Sequence, residues 1–98
     1  MNLTALQSNG LKLILTIIQK SDGSPVQAPM IAEIEHLKVG YVGKILFKLR
    51  KAGLVKAVRG KNGGYELARG AEEITLHDVL KALEVKEYDA HICPNLRT

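Results

Sequence analysis

Tryptophan is absent from this 98-residue chain, and three tyrosines and one phenylalanine supply all its aromatic rings. That scarcity argues against a base-stacking platform of the kind that holds single-stranded nucleic acid. The only cysteine is Cys93, which excludes an intramolecular disulfide. No apolar run approaches bilayer length. The longest, Leu13 to Ile18, is interrupted by Thr16, whereas a spanning helix needs about 20 apolar residues. A cytoplasmic location without membrane association is therefore expected. Catalytic constellations are missing as well: there are no paired carboxylates, no nucleophile with a base, no phosphate-cradling loop and no metal-ligand spacing. His36 has no second His or Cys at ligand spacing, and His77 and Asp78 sit at adjacent helix positions that diverge. The chain is expected not to be an enzyme, with no catalytic or metal-binding residue.

One absence is local. Between His36 and Tyr65 there is no Asp or Glu, while Lys38, Lys44, Lys48, Arg50, Lys51, Lys56, Arg59 and Lys61 contribute eight positive charges. The whole chain is formally +4, so the residues outside this block sum to −4. Positive charge gathered in one block is the footprint of a surface that meets a polyanion. The bland alternative is a solvated helix face, but such faces usually mix signs.

Length and an apolar share of 46% predict one domain with an ample core. The fold class expected is α+β, mostly α, over residues 1–84, followed by a tail over 85–98 without periodicity. A first helix is expected over about 11–20, with Leu11, Ile14, Leu15 and Ile18 on one face and Leu13 and Ile17 on a second. So much apolar circumference predicts cover on more than one side, by the other helices or by a second copy of the chain. Asn9-Gly10 reads as a turn or helix start, and Ser21 to Pro25 as a loop. A second helix over about 29–36 keeps Ile31, Ile34 and Leu37 at core spacing and leaves Glu33, Glu35 and His36 outward. A third, over about 40–52, buries Val42, Ile45, Leu46 and Leu49, with Gly53 as its C-cap. A fourth, over about 75–84, starts on Thr75 and Asp78 as a capping box and carries Leu76, Val79, Leu80 and Leu83.

The second and third helices, joined by a tight turn containing Gly40, read as a helix-turn-helix whose second member presents Tyr41, Lys44, Phe47, Lys48 and Lys51 outward. Such a helix can enter the major groove of double-stranded DNA. Two Val- and Leu-containing runs over about 54–59 and 65–69, joined by Gly60-Lys61-Asn62-Gly63-Gly64, predict a hairpin that acts as a wing. The candidate DNA contacts are Lys38, Tyr41, Lys44 and Lys48 on or before the helix. On the hairpin they are Arg59, Lys61, Asn62 and Gly63.

The succession Leu49-Arg50-Lys51-Ala52-Gly53-Leu54-Val55, Val58-Arg59-Gly60, Gly63-Gly64-Tyr65-Glu66-Leu67, with Ile74-Thr75-Leu76 after it, resembles the Rrf-type winged-helix transcription regulators. The likeness covers roughly residues 11–84. It implies a homodimeric repressor of partly palindromic operators, with Tyr41 and Lys44 at DNA-contacting positions and Arg59 with the Gly60–Gly64 loop as the wing in the minor groove. Departures are instructive. Gly43-Lys44 replaces an acid followed by Gln, which predicts an altered sequence preference. Lys38 replaces a helix-capping Ser, and Leu6, Ser8 and Asn9 replace basic and aromatic residues. Cluster-binding members supply three cysteines where this chain has Cys93 alone, beside His91, so no iron–sulfur cluster is expected. The family's long dimerisation helix is expected to be missing, with the irregular tail over 85–98 standing near its start. A second reading therefore stays open, a protein-interaction module that forms a heterodimer with a longer relative and antagonises it. Phe47, an apolar ring on the outward helix face, is its motive.

Overall fold

The structure, a computed structural model, describes residues 3–21 and 23–84. The expected tail, with His91, Cys93 and any start of a dimerisation helix, lies outside the described residues. The elements are α1 (Ala5–Lys20), α2 (Ala28–Glu35), α3 (Val39–Lys51), β1 (Val55–Val58), β2 (Gly64–Leu67), a 3-10 turn (Ala71–Glu73) and α4 (Leu76–Ala82). This is a mostly helical α+β arrangement with one antiparallel hairpin.

Helix α1 starts six residues earlier than its apolar pattern predicted. The Thr4 hydroxyl accepts from the Gln7 backbone N–H at 3.0 Å, and the Gln7 side-chain oxygen accepts from the Thr4 N–H at 3.1 Å. This reciprocal cap satisfies two donors that a helix start leaves free. Asn9 and Gly10 therefore lie inside the helix, not in a turn. Gly10 is buried because the side chain of Leu83, after α4, occupies the space a Cβ would fill. The glycine serves close helix packing.

That contact also decides which side of α1 faces inward. Gly10, Leu13, Ile14 and Ile17 are buried, whereas Leu15 is 55% and Ile18 39% exposed. The expected stripe through Leu11, Ile14, Leu15 and Ile18 is thus corrected by about half a helix face. Both stripes obey the same spacing, and only the neighbour that covers them distinguishes the two. Thr16, also buried, donates its hydroxyl hydrogen bond to the Glu35 carboxylate of α2. Glu35 is consequently half-buried rather than outward.

Helix α2 carries Pro in its first turn, where no intrahelical N–H is lost. It buries Ile31 and Ala32; Ile34, expected in the core, is 38% exposed. The turn to α3 needs only His36, Leu37 and Lys38, so Gly40 is already helical. The left-handed residue that ends α2 is His36, with φ 57°. Its N–H reaches the Glu33 carbonyl at 3.3 Å, and the Leu37 N–H reaches that of Ala32 at 2.9 Å.

Helix α3 buries Val42, Ile45, Leu46 and Leu49, as its periodicity predicted. Gly53, at φ 79°, closes it with the Leu54 N–H on the Leu49 carbonyl at 3.0 Å and the Gly53 N–H on that of Arg50 at 2.9 Å. This paired arrangement satisfies carbonyls the helix end would otherwise expose. The chain turns directly into β1, which pairs with β2 in the register Val55–Leu67 to Val58–Gly64. The strands are shorter than expected, ending at Val58 and Leu67.

A rung the sequence did not announce holds the hairpin to the helices. Val26, between α1 and α2, exchanges two backbone hydrogen bonds of 2.8 Å with Tyr65. Gly64 permits it, because a Cβ there would stand 2.7 Å from the Val26 carbonyl oxygen. Helix α4 begins with the predicted capping box of Thr75 and Asp78, both bonds at 3.0 Å. It buries Val79 and, just beyond its end, Leu83; Leu76 stays 52% exposed, against expectation.

Candidate nucleic-acid interface

The site rests on α3, whose inner face is anchored by four fully buried aliphatic side chains. Each contributes about 1.5–3 kcal/mol of burial, which gives the helix a rigid seat. At 100° per residue, the line opposite that seat runs through Gly40, Lys44, Phe47 and Lys51. Lys44 and Lys51 are exposed, and Lys48 is half-buried on the flank of the same surface. Lys38 is the N-cap, in extended conformation; its exposed side chain ends in a donor-only ammonium that cannot accept from the helix N–H groups.

Tyr41 is placed differently from the lysines. Its ring packs partly against the core, and its hydroxyl accepts from the Asn9 side-chain amide at 3.1 Å. Tyr41 thus stands at the seam between α3 and α1. Sequence reasoning took Asn9 as part of a turn or helix start and as a lost phosphate contact, not as a partner of Tyr41. A helical reading of residues 5–10 would have put Asn9 on α1, but not opposite Tyr41.

At the hairpin end Arg59, Lys61 and Asn62 are exposed, and Gly60 adopts φ 110°. Gly63 is buried instead. Its N–H bonds the Gly60 carbonyl at 3.0 Å, and any Cβ would collide with the Val58 carbonyl oxygen. It shapes the tip from within. The structure therefore gathers Lys44, Lys48 and Lys51 on α3 and Arg59, Lys61 and Asn62 on the tip, while Tyr41 and Gly63 are drawn inward.

Among the described residues the one ion pair is Lys56 with Glu66, 3.3 Å apart across the hairpin. No carboxylate lies within 4.0 Å of Lys38, Lys44, Lys48, Arg59 or Lys61 in that part of the chain. Among the described residues their charges are uncompensated. Such groups bind anions without first breaking an internal contact.

The family described as "Rrf2: Iron-dependent Transcriptional regulator" matches residues 3–97. The chain belongs to the Rrf2 family. This is a family of transcriptional regulators, not of enzymes. Protein rrf2 of Nitratidesulfovibrio vulgaris is 38% identical over 87 residues, covering 89% of this chain and 58% of that protein. The HTH-type transcriptional regulator IscR of Cereibacter sphaeroides is 40% identical over 70 residues, covering 71% of this chain and 45% of that one. The solved structure of CymR, the global cysteine regulator of B. subtilis, superposes with a TM-score of 0.81 at 28% identity, covering 98% of this chain and 80% of CymR. The chain spans about half the length of the two curated relatives.

The Rrf2 description names iron, and the donor set can be tested against it. Among the described residues no group of three His, Cys, Asp or Glu side chains is placed to hold a metal ion. The 98 residues contain one cysteine, outside that part. An iron–sulfur cluster takes about four protein ligands, chiefly thiolates. These residues do not fit one. Among the described residues no helix is long and apolar enough to cross a membrane.

Proposed function

We propose that this Rrf2-family chain is a cytoplasmic, cluster-free regulator, a repressor that binds duplex DNA with α3 in the major groove and the hairpin tip at the neighbouring minor groove. The observation that carries the reading is the cationic outer line of α3, which has no acid on it and, among the described residues, no ion pair. Lys38, Lys44, Lys48, Arg59 and Lys61 supply the phosphate contacts, and Asn62 reaches from the tip. Family membership and the likeness to CymR and IscR support the same reading.

Operator binding calls for a homodimer, and an exposed apolar surface supports that reading. Leu15 and Ile18 of α1 and Leu76 of α4 border an apolar groove of about 370 Å³ floored by Ile14, Ile74 and Val79. The same groove favours a second reading, in which the chain forms a heterodimer with a longer Rrf2 protein and antagonises it.

Titration of a labelled mixed-sequence duplex at several salt concentrations tests the leading reading. Five phosphate contacts give a slope of log affinity against log salt of about −4.5 for each chain bound. Affinity indifferent to salt, or absent, refutes it. Co-purification with a longer relative in the absence of DNA affinity supports the second reading.

A further inference from the structure

We infer that Phe47 reads thymine, by covering its 5-methyl group in the major groove; the inference rests on the DNA-binding reading above. Phe47 is 54% exposed, on the line of α3 that points away from the core. It lies among cations: Lys44 precedes it by one turn, and the Lys51 ammonium sits over its ring, 5.6 Å from the centroid. That contact steadies the ring and keeps a positive charge beside it.

Two positions ahead of Phe47 on α3 are bare. Gly40 and Gly43 carry no side chain, and no atom lies within 4 Å of where their Cβ atoms would be. The first turns of α3 therefore leave backbone uncovered at these two positions, between the exposed side chains of Val39 and Lys44, and the helix is slimmer there. A slimmer leading end lets the helix approach more closely, which brings Phe47, a turn further along, to the depth of the base edges. Apolar contact in a cationic setting calls for a partner that is anionic outside and apolar at one point. The major groove offers such a partner, because the thymine methyl is the apolar group on its base edges. A lysine or glutamine at this position would read guanine or adenine; a phenyl ring has no donor or acceptor to do so.

The test separates the ring's role from DNA binding itself. Duplexes retained by the wild-type protein from a mixed-sequence pool are re-amplified with either dTTP or dUTP, giving paired pools that differ only in the thymine methyls. Wild type is expected to prefer the thymine pool by about fourfold for each methyl covered. Phe47→Ala should bind both pools equally, and Phe47→Leu should keep part of the preference. Circular dichroism confirms the fold of each variant. A wild type indifferent to the methyl, or a Phe47→Ala variant that retains the full preference or loses the two pools in equal proportion, overturns the inference and leaves DNA binding standing. The last two outcomes return Phe47 to a structural or protein-contacting role. If the wild-type protein retains no duplex from the pool, the DNA-binding reading fails and takes this one with it.

Discussion

The side-chain amide of Asn9 donates a 3.1 Å hydrogen bond to the hydroxyl of Tyr41, across 32 residues of sequence. It ties α1 to the outer helix of the helix-turn-helix and turns the tyrosine toward the seam between them. A tyrosine held this way has one defined position, and α1 shares in setting it.

Removing either partner should therefore cost a similar amount of stability. Asn9→Ala and Tyr41→Phe are each expected to lower unfolding free energy by about 0.5–1.5 kcal/mol. In a double-mutant cycle read by urea denaturation, the two losses should not add. Strict additivity would show that the contact contributes nothing in solution.

His36 bears a left-handed conformation that glycine adopts without a Cβ penalty. His36→Gly should stabilise the fold by about 1 kcal/mol, because the strain removed exceeds the extra chain entropy at a helix end. Thermal unfolding measures it. A lower melting temperature would mean that the imidazole makes a contact worth more than the strain.

The glycines of the candidate site should divide sharply. Gly43 faces open space inside α3, so Gly43→Ala is expected to stabilise by about 1 kcal/mol from helix propensity. Gly63→Ala drives a Cβ against the Val58 carbonyl oxygen and should destabilise by about 1–3 kcal/mol. Placing an acid beside the outer line, as in Gly43→Glu, should keep the stability and weaken duplex binding at low salt. Fluorescence anisotropy and urea denaturation on the same samples separate the two effects.

The cap of α4 titrates. The backbone N–H of Thr75, followed by its side chain, holds the Asp78 carboxyl below the ordinary aspartate value. A carboxyl depressed in the folded state stabilises above its unfolded value, and that contribution vanishes as pH falls through the folded one. Acidification should therefore fray the start of α4 at the low end of the carboxylate range. Carbon-detected NMR titration should place Asp78 below a free aspartate and show a partial return in Thr75→Ala, where the backbone donor remains. An unshifted Asp78 in the wild type would rule the cap out.

Several features were legible without coordinates. Val42, Ile45, Leu46 and Leu49 repeat along a helix whose other side is cationic, and a single amphipathic stripe has one way to face a core. Thr75 and Asp78 form their cap within four residues, and the Gly-rich hairpin is equally local. The acid-free block needed only counting.

Helix α1 shows where that reasoning stops. It carries two apolar stripes of equal spacing, and periodicity says that a face is apolar, not which neighbour will cover it. The packing of Leu83 against Gly10 and the hydrogen bond from Thr16 to Glu35 choose between them. The rung between Val26 and Tyr65, and the bond from Asn9 to Tyr41, likewise join residues far apart in the chain. Local composition therefore determined the helices, the hairpin and the sign of the exposed surface. Only the tertiary structure decided which side of each helix is left uncovered and which candidate side chains turn inward, because those outcomes depend on contacts that no stretch of sequence contains by itself.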